Sequence, residues 1–153
     1  RGQPLQKPFR VKDQWILPNI CYEDIFGEEI ADQIRHEYKT GQPTPTVLLN
    51  VSNIAWFGNT IALPQHLQIS QRRSLETGRP MLRATNPGTT AVIDAHGRPV
   101  AWLPPYTRGE LATTIQGTRG ATPFIRFGNL TILIVALAAL VIARILSARK
   151  HRR

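Results

Sequence analysis

Hydrophobic positions change their spacing along this chain: short continuous runs alternate with helical stripes, and one long unbroken run comes last. Trp15 to Ile20 predicts a strand that ends at Cys21. Phe26, Ile30, Ala31, Ile34 and Tyr38 then recur at three- and four-residue intervals, the signature of one helix face. Asp24 offers an N-cap to this helix, Glu28 and Glu29 fall in its first turn, and Arg35, His36 and Lys39 close its last turn before Gly41. Val47 to Val51, bounded by Pro45 and by Ser52-Asn53, predicts a strand buried on both faces. A loop over 52–59 carries Trp56 and Phe57, and Leu63 to Thr77 predicts a second helix stopped by Gly78. Pro80–Ala84, Thr90–Ile93, Pro99–Trp102 and Glu110–Ile115 predict further strands, with a hairpin turn at Asp94-Ala95-His96-Gly97. Strands alternating with helices, followed by a strand series, predict a layered α/β sandwich.

The last run, Leu130 to Ala143, holds no charge and shows no amphipathic stripe. A helix needs about 20 apolar residues to cross a bilayer, with about 17 as the lower limit. Arg144 can snorkel its guanidinium to the headgroups while its stem stays in lipid, which extends the predicted span to residues 127–147. A basic tail over 148–153 follows at once and predicts a cytoplasmic C-terminus, with the preceding domain on the opposite side of the membrane.

The net charge of +9 suggests a polyanion partner, but its distribution redirects the reading. Arg144, Arg149, Lys150, Arg152 and Arg153 are packed into the last ten positions, directly behind the apolar run and without interleaved aromatics. A membrane-anchored tail explains that cluster better than nucleic-acid binding. With 42% hydrophobic and 19% charged residues, the chain has the composition of one folded domain and not of a disordered tail. His36, His66, His96 and His151 are scattered without ligand spacing beside a single cysteine, so neither a metal site nor a cofactor is expected. Residues 1–14 are polar, carry Pro4 and Pro8, and read as a loop interior to a longer parent chain. The missing initiator methionine and the lack of a leader segment support the same expectation.

Cys21 is the chemical focus. In Leu17-Pro18-Asn19-Ile20-Cys21-Tyr22-Glu23-Asp24 a strand reading ends at a thiol beside carboxylates where a helix begins. A thiol at such a turn is pushed clear of the sheet and lies near the positive end of a helix, and both effects raise its reactivity. The structural alternative is a small buried hydrophobe. For Glu23 the alternative is a helix N-terminal charge, and for Trp56 and Phe57 it is core or membrane-interface packing. His66 faces the same side of its helix as Leu63 and Ser70, and a structural role is expected for it.

ICYED, NVSNIAWFG, PQHLQISQRRSLETGRPMLRATNPGTTAVID and TPFIRFGN, in this order and followed by an apolar helix and a basic tail, resemble the apolipoprotein N-acyltransferase family of the nitrilase (carbon-nitrogen hydrolase) superfamily. The resemblance runs from about Ile16 to the C-terminus. It implies that residues 15–126 are the C-terminal part of a nitrilase-like α-β-β-α sandwich, followed by one transmembrane helix, on the periplasmic face of a bacterial inner membrane. It also implies acyl transfer from a phospholipid donor, through a thioester, to the amine of the diacylglyceryl-cysteine of an apolipoprotein acceptor. Cys21 aligns with the nucleophile. Glu23 would orient the base or the substrate amine, Tyr22 would shape the acyl pocket, and Trp56 and Phe57 would border the site and meet lipid.

Two departures qualify what the resemblance implies. The superfamily's glutamate base and oxyanion-stabilising lysine lie upstream of the nucleophile, yet the segment before Cys21 has no glutamate, and Lys7 and Lys12 lie too near the cysteine to serve. One oxyanion donor alone is worth about 10²- to 10³-fold in rate, so this chain by itself is expected to be nearly inactive. Ile54 stands where many family members carry an acidic residue. A nitrilase-type amidase and a non-catalytic membrane-anchored remnant remain the alternative readings.

Overall fold

A computed structural model of the protein describes residues 5–150. Of the features predicted from sequence, Pro4 and the last three residues of the basic tail, 151–153, lie outside the described residues. Among the described residues the strands form one six-stranded sheet in chain order: β1 (Phe9–Val11), β2 (Gln14–Ile20), β3 (Val47–Asn53), β4 (Met81–Asn86), β5 (Thr90–Ile93) and β6 (Pro99–Leu103). The central strands β2, β3 and β4 run parallel because helices α1 (Gly27–Thr40) and α2 (Ala62–Thr77) carry the chain back between them. The outer strands pair antiparallel through short turns. Both helices end where the sequence placed a glycine, with Gly41 and Gly78 in the left-handed conformation that closes a helix cheaply.

Side-chain alternation decides which face of the sheet the helices cover. Leu17, Leu48, Met81 and Ile93 stand side by side in register and pack with Ile30 and Ile34 of α1 and with Ile125. Burying each of these large aliphatic side chains contributes about 1.5–3 kcal/mol, enough to choose the face. On the opposite face Ile20 and Val51, adjacent in register, remain exposed. The structure therefore holds one sheet with helices packed on one side, the C-terminal part of the nitrilase-like sandwich expected from the sequence.

Three local expectations are overturned. Asp24 does not cap α1; it lies in a 3-10 turn (Cys21–Ile25), fully buried, and Phe26 takes the cap position. Helix α1 starts instead at Gly27, where a Cβ would lie 2.1 Å from Arg73 Nη1, the atom that donates to the Ile25 carbonyl at 3.1 Å. Residues 9–11, read as loop, form β1 against β2, because Lys12 takes a positive φ and turns the chain back. Residues 110–115, read as a strand, are irregular: Pro104 and Pro105 lead the chain off edge strand β6, and the segment is tied instead by the Thr118 amide donating to the Thr46 carbonyl at 3.0 Å.

The C-terminal helices are anchored before the apolar run begins. Thr122 caps the short α3 (Pro123–Phe127) by accepting from the Ile125 amide at 3.1 Å, while its hydroxyl donates to the Glu76 carbonyl at 2.6 Å. Arg35 Nε donates to the Ile125 carbonyl at 2.6 Å, and the Asn129 amide donates to Glu28 Oε1 at 2.7 Å. Helix α4 (Leu130–Lys150) then leaves the domain with its apolar surface exposed, and 130–148 are long and apolar enough to cross a membrane by length and composition.

Candidate active site

The three parallel strands deliver their C-terminal ends to one edge of the sheet, the edge where open α/β sheets place their ligands. Strand β2 ends at Ile20, and Cys21 opens the 3-10 turn in the left-handed region at φ 55°, a conformation few non-glycine residues hold without support. Its side chain is half-buried. Glu23, three residues after Ile20, bends back so that Oε2 accepts from the Ile20 amide at 2.6 Å. This bond ties the carboxylate to the base of the turn that carries the thiol.

The remaining sequence-predicted residues sit on the rim. Tyr22 is exposed and meets the ring of Phe26 edge-on, with centroids 6.1 Å apart. Trp56 and Phe57 lie on a second 3-10 turn (Ala55–Phe57) that follows β3, the strand beside β2, and Trp56 is 81% exposed. An indole left in solvent contributes nothing to the core, so the core-packing alternative for Trp56 is set aside. Ile54 is fully buried, with its amide donating to the Asn86 carbonyl at 2.9 Å and its side chain against Gly88. An aliphatic side chain suits that dry position; a carboxylate there would need a partner.

Beneath the rim lies a buried polar layer that sequence reading missed. Asn19, Asn50 and Arg83 are adjacent in register across β2, β3 and β4 on the helix-covered side. Asn50 Nδ2 donates to Asn19 Oδ1 at 2.5 Å and to the Cys21 carbonyl at 3.0 Å, and its own Oδ1 accepts from the Ser52 hydroxyl. A polar residue interrupting each of the apolar runs Leu17–Ile20, Val47–Val51 and Met81–Ala84 was the available signal.

From the helix side, Ser70 Oγ donates to Asp24 Oδ2 at 2.5 Å. Arg83 Nη1 donates to Ser70 Oγ at 2.5 Å, Nε donates to the Thr89 carbonyl at 3.2 Å, and Nη2 bonds His66 Nδ1. Because a guanidinium only donates, His66 Nδ1 accepts and the imidazole carries its proton on Nε2, 3.8 Å from Asp24 Oδ1. Burial, reinforced by the charge of Arg83, holds the His66 pKa below its ordinary value and keeps the ring neutral near pH 7. His66 is thus a member of the buried network, consistent with the structural role expected for it. Burial raises the pKa of Asp24 against the opposing pull of the Ser70 hydrogen bond and of Arg83. Burial also lowers Arg83 to about 10, against the pull of Asp24 and Cys21, so its charge persists at neutral pH.

Comparison with known proteins bears on the family and the fold. Residues 4–124 match the carbon-nitrogen hydrolase family. The chain is 54% identical over 144 residues to an apolipoprotein N-acyltransferase of Ralstonia nicotianae, covering 92% of this chain and 27% of that protein. It is 48% identical over 153 residues to an apolipoprotein N-acyltransferase of Nitrosomonas europaea, covering 100% of this chain and 29% of that protein. The chain thus spans between a quarter and a third of the length of these curated relatives. Among solved structures, a carbon-nitrogen hydrolase from Helicobacter pylori superposes with a TM-score of 0.53 at 13% identity, covering 67% of this chain and 41% of that chain. Nit3 of Saccharomyces cerevisiae, a nitrilase-superfamily member, superposes at 0.51 with 17% identity, covering 65% of this chain and 36% of that chain. These two likenesses bear on the fold.

Proposed function

This chain belongs to the carbon-nitrogen hydrolase family, and we propose that it forms the nucleophile-bearing part of a membrane-bound N-acyltransferase that matures lipoproteins. The observation that carries the reading is the union of a half-buried thiol on a strained turn, an exposed aromatic rim beside it, and an apolar helix anchored to the same domain. A water-facing amidase has no need of the last two.

In the proposed reaction the Cys21 thiol gives its proton to a base supplied by a part of the polypeptide other than this chain, and its sulfur attacks the acyl ester carbonyl of a phospholipid. The ester bond breaks, the base returns the proton to the departing lysophospholipid alkoxide, and a thioester remains. The amine of a diacylglyceryl-cysteine then attacks the thioester carbonyl, loses a proton, and releases the thiolate as leaving group. Glu23 orients the amine or the base, Tyr22 shapes the acyl pocket, and Trp56 and Phe57 meet lipid. Residues 127–147 span the inner membrane, residues 15–126 face the periplasm, and the basic tail from 148 stays cytoplasmic. With no glutamate before Cys21, this chain alone turns over poorly.

The test is mass spectrometry of Cys21 in the complete protein after incubation with phospholipid vesicles. A hydroxylamine-sensitive acyl adduct, absent from Cys21→Ser, is expected. Ammonia release from amides with no acyl adduct would favour the amidase reading. Persistence of the adduct in Cys21→Ser would refute the nucleophile assignment, and absence of both activities would leave the membrane-anchored remnant.

A further inference from the structure

The buried polar layer under Cys21 is larger than packing requires. Asp24, Ser70 and Arg83 are at most 2% exposed, in a layer that aliphatic side chains could fill without the expense of desolvating a guanidinium and a carboxylate. Nor is their connectivity random. Asp24 sits on the same 3-10 turn as Cys21, three residues on; Ser70 comes from α2 and Arg83 from the middle of β4. The hydrogen bonds run from Arg83 through Ser70 to Asp24, each 2.5 Å long, and Arg83 Nη1 lies 3.7 Å from Asp24 Oδ2. From the opposite side Asn50 holds the Cys21 carbonyl. A positive φ at a non-glycine residue persists only where its surroundings over-determine it, and these two braces do so.

We propose that Arg83 is a positioning residue: acting through Ser70 and Asp24 it fixes the turn that presents Cys21. The inference rests on the reading of Cys21 as nucleophile. The other titratable or charged groups around the turn are Glu23, bound to the Ile20 amide, Asp24 on the turn itself, and His66 and Arg73 from α2. His66 is held neutral, so it adds no charge to the thiol near pH 7.

The experiment measures iodoacetamide alkylation of Cys21 against pH in the complete protein, read by peptide mass spectrometry, with thermal unfolding recorded in parallel. Arg83→Met is expected to slow labelling roughly tenfold at every pH by loosening the turn. Arg83→Lys, which keeps a donor toward Ser70 but not the planar fork, is expected to restore part of the lost rate. A folded Arg83→Met protein that labels at an unchanged rate overturns the inference. Ser70→Ala removes the hydroxyl link, leaves the charge in place, and gives an answer even if Arg83→Met does not fold. It is expected to slow labelling about threefold to tenfold, and unchanged labelling likewise overturns the inference. Alkylation involves no lipid. An Arg83 effect without an acyl adduct therefore counts against acyl transfer alone, and an adduct formed while labelling is indifferent to Arg83 and Ser70 counts against this inference alone.

Discussion

Two buried arginines, Arg79 just before β4 and Arg83 in its middle, two residues nearer the Cys21 edge than the strand's start, show what each side of the sheet is for. Arg79 is 1% exposed and donates to the carbonyls of Pro45 at 2.7 Å, Gly120 at 2.6 Å and Thr77 at 3.4 Å, and to the Tyr38 hydroxyl at 3.2 Å. All its partners there are neutral. It joins α1, β4 and the irregular segment after β6 by satisfying backbone groups that would otherwise be stranded. Arg83 also donates to the carbonyls of Thr89 and His66, but beyond these it meets Ser70, His66 and Asp24, side chains that titrate or reorient, beneath a thiol. A guanidinium among carbonyls is a staple; among titratable groups it can set the chemistry of a neighbour.

The largest expected effect comes from removing the staple. Arg79→Met leaves the Pro45 and Gly120 carbonyls without their donor and is expected to cost about 3–5 kcal/mol in denaturant unfolding, nearly independent of pH between 5 and 9. A loss that varied strongly with pH would erase the distinction between the two arginines.

The next test uses a carboxyl at the Arg79 end of the sheet. Glu37 on α1 is 5% exposed, Oε2 has no hydrogen-bond partner among the described residues, and burial raises its pKa from 4.5 to about 7. The folded state therefore holds this proton more tightly than the unfolded chain. Stability from this group is complete below about pH 4.5, declines as pH rises, and is fully lost above about pH 7. Glu37→Gln is expected to stabilise the protein by up to about 3 kcal/mol at pH 8 and by almost nothing at pH 4, measured as the difference between matched unfolding curves. A gain that is equal at both pH values would show that the group does not titrate in this window.

At the reactive end, Asn50→Ala removes the donor to the Cys21 carbonyl and to Asn19 Oδ1 and is expected to cost about 2 kcal/mol. Unlike Arg79→Met, it is also expected to slow alkylation of Cys21; equal labelling at equal stability loss would make both ends mere staples. The smallest effect is expected from Cys21→Gly, which relieves the positive φ and raises stability by about 1 kcal/mol while removing the thiol. A drop in melting temperature would mean that the sulfur contributes packing that outweighs the strain.

Much of the architecture was legible because it depends on neighbours in the chain. The stripe of Ile30, Ala31 and Ile34, the glycines that stop α1 and α2, the Asp94–Gly97 turn and the long apolar run are local patterns with local causes. The errors arose where a residue's partner is remote. Asp24 has every local mark of an N-cap, yet its carboxylate bonds a serine 46 positions away, and burial replaced capping as its role. Residues 9–11 gained strand structure from β2, and residues 110–115 lost it for want of a pairing neighbour.

From sequence alone came the place of the thiol, the order of elements and the exposed apolar helix, because strand-ending turns, periodicity and continuous hydrophobicity are properties of short segments. The tertiary structure decided that Asn19, Asn50 and Arg83 share one layer, that Ser70 and His66 reach them from α2, and that Glu37 Oε2 is buried without a hydrogen-bond partner among the described residues. Strand register and helix docking bring those groups together, and the energy of a buried polar group depends on which partners arrive beside it, a quantity absent from any stretch of sequence read by itself.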